Sequence, residues 1–263
     1  MGMSQVKTAA RSVAICGKGG VGKTALTVLL TRVLVGSNGK LLVVDADPVV
    51  GLPQALGVSV AKTMGDVSEE IIRVARAGGK KEKIEVINML DYMILEALVE
   101  LDGFALLAMG KREGPGCFCP VNDLLRDAIE PLSGNFDIIL IDGEAGVEQI
   151  NRRVMHKVDM PLIVTDATIR GVRTAALINE VAHKRKATGG TKMRLVINRV
   201  MEGQEQQLRQ AAEQVGLEVV GFIPEDDNIT HYDLAGKPIY DIEDNSPSVV
   251  AVREIARKLG LLA

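Results

Sequence analysis

Three sets of residues in this 263-residue chain have types and spacings suited to chemistry. The first is Gly17-Lys18-Gly19-Gly20-Val21-Gly22-Lys23-Thr24, which fits the phosphate-binding loop pattern of Gly, four residues, then Gly-Lys-Thr. Glycines there let backbone N–H groups close around phosphate oxygens, and a following helix N-terminus adds partial positive charge. Lys23 is placed to reach β- and γ-phosphates, and the Thr24 hydroxyl to sit on Mg²⁺. The second set is acidic. Asp142 closes the run Phe136-Asp137-Ile138-Ile139-Leu140-Ile141, and an acid directly after a buried strand suits Mg²⁺ held through water. Asp45 and Asp47 follow Leu41–Val44. Asp47 is the candidate for positioning or deprotonating an attacking water, and Asp45 for supporting Mg²⁺ water or the loop. The third set is Cys117-Phe118-Cys119, among glycines and prolines, with Lys111 and Arg112 nearby to favour thiolate. One Cys-x-Cys pair falls short of a tetrahedral site, but two pairs from two chains fill one, for zinc, nickel or an iron–sulfur cluster. A redox pair is the other use of such spacing.

These residues need a frame that gathers them. Short apolar runs recur at Val13–Ile15, Leu41–Val44, Phe104–Met109, Ile138–Ile141, Leu162–Val164, Leu195–Ile197 and Val219–Phe222, with helical stretches between most of them. That alternation predicts an α/β fold, a mainly parallel sheet with helices on both faces. Ligands in such sheets bind beyond the carboxyl ends of the strands. Polar or reactive residues follow nearly every run, so one edge of the sheet is expected to be the active one. Residues 1–263 read as one ATPase domain, with 59–103 as a helical insertion packed on the sheet. Within it a helix around Ile71, Ile72, Val74 and Ala75 is expected to end at Gly78-Gly79, and Ile84–Leu101 mixes strand and helix signals.

Composition narrows the partners. The apolar fraction is 47% and the aromatic fraction 3%, so the core is expected to be aliphatic. A formal net charge of −3 gives no global pull toward nucleic acid. No run of 18 apolar residues or secretory leader is evident, which predicts no membrane span and a reducing, cytoplasmic setting for the three cysteines. Cys16 reads as packing. His156, His183 and His231 lack metal-ligand spacing, and Lys184-Arg185-Lys186 reads as a solvated helix end. Val249, Val252, Ile255, Leu259 and Leu262 form a stripe expected to cover the core rather than a membrane.

The form Gly-Lys-Gly-Gly-Val-Gly-Lys-Thr, with Lys18 after the first glycine, resembles the deviant Walker A phosphate-loop NTPases. These include MinD, the ParA partition proteins, the arsenite-pump ATPase and nitrogenase iron protein. The resemblance implies ATP and ADP as ligands and a homodimer in which Lys18 reaches the partner's nucleotide. It implies base contacts at Asn198 and Arg199 and along Ile223-Pro224, with Ala25 completing the loop. No strong guanine signature is present, so ATP is preferred to GTP. Val49-Val50-Gly51 replaces residues that are usually polar, which predicts slow hydrolysis.

Gly110…Gly114-Pro115-Gly116-Cys117-Phe118-Cys119…Asn122, with Glu144-Ala145-Gly146-Val147-Glu148, resembles the CooC-type ATPases that mature nickel–iron–sulfur carbon monoxide dehydrogenase, with relatives serving acetyl-CoA synthase. Gln149 stands where a histidine is common. The resemblance implies a metallochaperone whose dimer holds Zn²⁺ or Ni²⁺ on Cys117 and Cys119 of both chains and serves a client Ni-Fe-S enzyme. A MinD- or ParA-like positioning ATPase and an iron–sulfur electron-transfer ATPase are the rival functions.

Overall fold

The computed structural model describes residues 10–37, 39–77, 89, 92–111, 126, 129, 132–143, 158–184 and 191–262. Its frame is an eight-stranded sheet. In chain order the strands are β1 (Arg11–Gly17), β2 (Leu41–Asp45), β3 (Leu98–Leu101), β4 (Phe104–Ala108), β5 (Ile138–Asp142), β6 (Met160–Asp166), β7 (Arg194–Val200) and β8 (Glu218–Pro224). They lie in the order β3-β4-β2-β5-β1-β6-β7-β8. Every neighbouring pair is parallel except β3 with β4. All seven apolar runs are strands, as parallel pairing buried on both faces requires.

Alternate residues of each central strand feed opposite faces, as the two-residue strand period dictates. Val13, Ile15, Leu41, Val43 and Leu140 pack with helices α1 (Lys23–Leu34) and α7 (Pro247–Lys258). Ala14, Leu42, Val44, Ile139 and Ile141 pack on the other face with α3 (Met64–Ala77). Further along that second face, Cys16, Ile163, Leu195 and Ile197 meet α4 (Ile169–Lys184) and α5 (Glu205–Gln214). Short α2 (Leu52–Leu56), α6 (Asp227–Leu234) and a 3₁₀ turn at Ile239–Asp241 lie among the loops. The C-terminal stripe lies inside the core: Val249 and Val252 are fully buried and Ile255 nearly so, against α1 and β8.

The stretch 59–103 differs from a helical insertion at its end. α3 is helical and stops at Ala77, and residues 92–97 are helical, but Leu98–Leu101 is an edge strand of the sheet. It forms a hairpin with β4 through Asp102-Gly103, a turn pair whose Gly103 has φ of 92°. Asp-Gly between two apolar segments is a hairpin signal in its own right. Its strand is half-exposed at the sheet edge and so carries a weak apolar pattern.

Candidate nucleotide site

The parallel strands bring their carboxyl ends to one edge, and β1 delivers the phosphate loop there. β1 ends at Gly17, where φ is 146° and a Cβ would lie 2.2 Å from Val164 O on β6. Only glycine allows that approach. Gly20 (φ 78°) and Gly22 (φ 94°) continue the turn, and Gly22 caps α1. Lys18, Gly19 and Gly20 are exposed at the tip of the loop. Lys23 Nζ lies 3.3 Å from Lys18 O, so its ammonium folds over the loop. Ala25 is half-buried in the first turn of α1.

Beneath the loop, β2 and β5 align Asp45 with Asp142 as register partners. Thr24 Oγ1 donates to Asp142 Oδ2 at 2.7 Å. Thr27 Oγ1 lies 3.2 Å from Asp142 Oδ1 and 3.0 Å from Lys23 O. Thr27 did not stand out in the sequence. Its signal is the spacing Thr24-Ala25-Leu26-Thr27, which sets both hydroxyls on one helix face. Burial pushes the Asp142 carboxyl up to about 6, opposed by the Thr24 and Thr27 hydroxyls and the Lys23 ammonium. A hydroxyl beside a carboxylate, at the mouth of a loop lined by backbone N–H groups, is a hard-oxygen donor set that fits Mg²⁺.

Asp45 is fully buried and serves the loop after β2. Its Oδ1 accepts from Asp47 N at 3.0 Å and its Oδ2 from Leu52 N at 3.2 Å. Of the two roles expected for it, loop support is the one these bonds display. Burial raises its carboxyl to about 7, helped by the charges of Asp142 and Asp47 and opposed by the two N–H groups. Asp47 is half-buried, and its Oδ1 accepts from Val49 N at 2.9 Å. Val50 then turns at φ 51°, an uncommon conformation for a β-branched residue.

Beside the loop, a cleft of about 390 Å³ is lined by Gly22, Ala25, Asn198, Arg199, Pro224 and Asp226 among others. The residues expected to meet the base thus share one hollow. Arg199 is exposed at φ 58°, and Pro224 closes β8. Asn198 Nδ2 donates to Val21 O at 2.9 Å. Asp226 shapes the cleft wall: it caps α6 by accepting from Asn228 N and also accepts from Ser246 Oγ, Ser248 N and Ser248 Oγ. Its burial works against ionisation, but these four donors outweigh it and lower its carboxyl below the ordinary value. A larger hollow, about 870 Å³, lies at the opposite edge of the sheet around Arg11, Val35 and Gly260, away from every residue just described. Volume alone would have misplaced the site.

Cys117, Cys119 and the 144–149 segment lie outside the described residues. Among the described residues no cluster of His, Cys, Asp and Glu is arranged to hold a metal by itself. Cys16 is buried with its thiol pushed up to about 12, chiefly by burial, and donates to Leu162 O; it is packing. No helix among the described residues is long and apolar enough to cross a membrane.

Residues 13–239 match the family model described as the CobQ/CobB/MinD/ParA nucleotide binding domain. The chain belongs to that family. It is 38% identical over 247 residues to an uncharacterized ATP-binding protein of Methanocaldococcus jannaschii, covering 94% of this chain and 97% of that one. It is 30% identical over 240 residues to the carbon monoxide dehydrogenase accessory protein CooC of Rhodospirillum rubrum, covering 88% and 89%. The cell division ATPase MinD of Pyrococcus furiosus superposes with a TM-score of 0.70 at 25% identity, over 97% of this chain and all of that one. The family is one of ATP-binding ATPases, and the fold is that of the MinD/ParA-type phosphate-loop NTPases.

Proposed function

We propose that this chain is a homodimeric ATPase switch that carries nickel or zinc on Cys117 and Cys119 of both subunits and serves a nickel–iron–sulfur client enzyme. The observation that carries this is where the cysteine segment begins. Ala108, at the end of β4, is in register with Asp45, which is in register with Asp142. Met109 N then donates to Asp45 O at 2.8 Å. The chain that continues to Cys117-Phe118-Cys119 therefore leaves the sheet from the row of carboxylates under the phosphate loop. Cys117 follows Lys111, the last described residue of that stretch, by only six positions in the sequence. The likeness to CooC over most of both chains supports the same assignment.

In this scheme the backbone of Gly17–Thr24 and the Lys23 ammonium hold the phosphates. Lys18 extends from the exposed loop toward the partner's nucleotide. Thr24 and Asp142 hold Mg²⁺, which when bound offsets the negative charge that builds on the transferring phosphoryl group. Asp47 orients the attacking water. Asp45 keeps Asp47 and the start of α2 in place through its two accepted N–H bonds. Loss of the γ-phosphate removes contacts from the loops after β2 and β5, loosens the dimer and changes the shared thiolate site.

Metal content of anaerobically purified dimer, supplied with nickel or zinc, tests the assignment. About one ion per two chains is expected, absent in Cys117→Ser/Cys119→Ser, with an affinity that differs between ATP- and ADP-bound forms. No specific metal in wild type, or equal affinity in both forms, refutes it. A MinD-like positioning switch is the second reading, favoured by the match to MinD along the whole fold. Nucleotide-dependent co-sedimentation with liposomes or DNA would select it instead.

A further inference from the structure

The carboxylate of Asp226 caps two helices at once. The residue is 7% exposed and lies where the chain leaves β8 for α6. Its Oδ1 accepts from Asn228 N at 3.1 Å, in the first turn of α6. Its Oδ2 accepts from Ser248 N at 3.0 Å, in the first turn of α7, and also from Ser248 Oγ at 2.6 Å and from Ser246 Oγ. Ser246 stands just before α7, yet its hydroxyl makes no cap bond of its own; Asp226 supplies the acceptor instead. Negative charge is stabilising at a helix N-terminus, where N–H groups lack partners within the helix. Here one charge serves two N-termini and ties them to each other.

The two helices are unequally anchored. In α7, Ser248, Val249 and Val252 are fully buried. In α6 no residue is buried, and Leu234 at its end is 85% exposed. Apart from Asp226, α6 is held by partial packing of Ile229 and Tyr232 on the core, by Asn228 Nδ2 at 3.4 Å from Ser246 Oγ, and by Tyr232 OH at 3.3 Å from Asp241 O. Nevertheless α6 supplies a wall of the cleft beside the phosphate loop, through Ile229, Thr230, Asp233 and Leu234. With so little burial of its own, that wall takes its position from the tie to α7.

We propose that Asp226 is a positioning residue for the nucleoside part of the nucleotide: by capping α6 and α7 together it fixes the cleft wall against which the base packs. This rests on the nucleotide site described above. Ser246 and Ser248 do not line the cleft, so they act on a bound base only through Asp226. The polyphosphate, held by the loop before α1, is independent of this tie. Weakening the tie therefore lets α6 shift and costs affinity for the nucleoside alone.

The test is displacement of a fluorescent ATP analogue by Mg-ATP and by Mg-tripolyphosphate, which has no base. Asp226→Asn keeps the size but removes the charge and one of the two acceptors. Mg-ATP is expected to bind about ten-fold more weakly to this variant, and Mg-tripolyphosphate to stay within about two-fold of wild type. Equal weakening of both, or weakening of neither, overturns the proposal, because a purely structural cap lowers the urea midpoint without moving the ratio of the two affinities. Ser246→Ala/Ser248→Ala is the milder variant, since it keeps the carboxylate and the Ser248 N–H bond. It is expected to show the same selective loss from outside the cleft, and an unchanged ratio there refutes the tie. Once Asp226→Asn is present, adding the two serine changes is expected to cost ATP little more, and losses that simply multiply refute the shared path. Wild-type protein that bound neither competitor would refute the nucleotide site itself, a result distinct from any change in the ratio.

Discussion

Replacing Asp142 by asparagine is expected to stabilise the folded chain at neutral pH while abolishing ATP hydrolysis. The carboxyl is 2% exposed, and burial holds it at about 6 against an ordinary 3.8. Between those values the unfolded chain gives up the proton before the native chain does. The native state's advantage is thus complete below the lower value and lost as pH rises through about 6. A separation of about two units corresponds to ~3 kcal/mol. The substitution removes this fall because an amide does not titrate.

The local bonds tolerate the change. The amide oxygen can accept from Thr24 Oγ1, as Asp142 Oδ2 does now at 2.7 Å. The amide nitrogen can donate to Thr27 Oγ1, whose own proton has Lys23 O at 3.0 Å as an alternative acceptor. Exchanging charge-assisted bonds for neutral ones costs about 1 kcal/mol. A net gain of ~2 kcal/mol at pH 8 remains, or roughly 4–8 °C in Tm for a domain of this size. Urea unfolding of both proteins from pH 4 to pH 8, without nucleotide or Mg²⁺, measures it. The gap is expected to open with rising pH and to be near zero or reversed at pH 4. A variant less stable than wild type at pH 8, or a gap that does not change with pH, would refute the link between this burial and stability.

Two further substitutions separate other parts of the site. Lys18→Ala removes an exposed side chain, so stability should stay within about 0.5 kcal/mol; if Lys18 acts across a dimer, ATP turnover should fall by about 10³-fold and recover in mixed dimers with D142N. Turnover near the wild-type level would refute the role in trans. Val50→Gly relieves a φ of 51° on a β-branched residue, and the gain less the extra freedom of the unfolded chain comes to ~1 kcal/mol. A urea midpoint below wild type would show that Val50 contributes packing that outweighs its backbone strain.

The strands were legible because parallel strands buried on both faces must be apolar throughout, and Leu41–Val44 or Ile138–Ile141 have no other use. The clustering of Asp45, Asp142 and the phosphate loop at one edge was legible for the same reason, since charged residues gather where the strands leave the core. β3 was not, because its half-exposed residues look alike as strand or helix, although Asp102-Gly103 marked the hairpin. Long-range partners were illegible in principle. Nothing near Asp45 in the sequence says that both its oxygens face N–H groups of its own loop. Nothing near Asn198 says that its amide meets Val21. The types of these residues were informative, but their partners depend on which strands become neighbours.

Strand order also explains how one scaffold can serve different tasks. β5, β1 and β6 are central and carry the carboxylate and the phosphate loop, so changes there strain several neighbours at once. Gly17 shows the constraint, with a Cβ position occupied by Val164 O. The segment beyond β4 hangs from a strand nearer the sheet edge, two places from β5, and its first tie to the site is one backbone bond from Met109 to Asp45. Change beyond β4 is expected to disturb nucleotide binding less than change in β1 or β5. Specialisation within the family should therefore be sought after β4, where Cys117 and Cys119 stand, while the phosphate loop reports only the shared use of ATP.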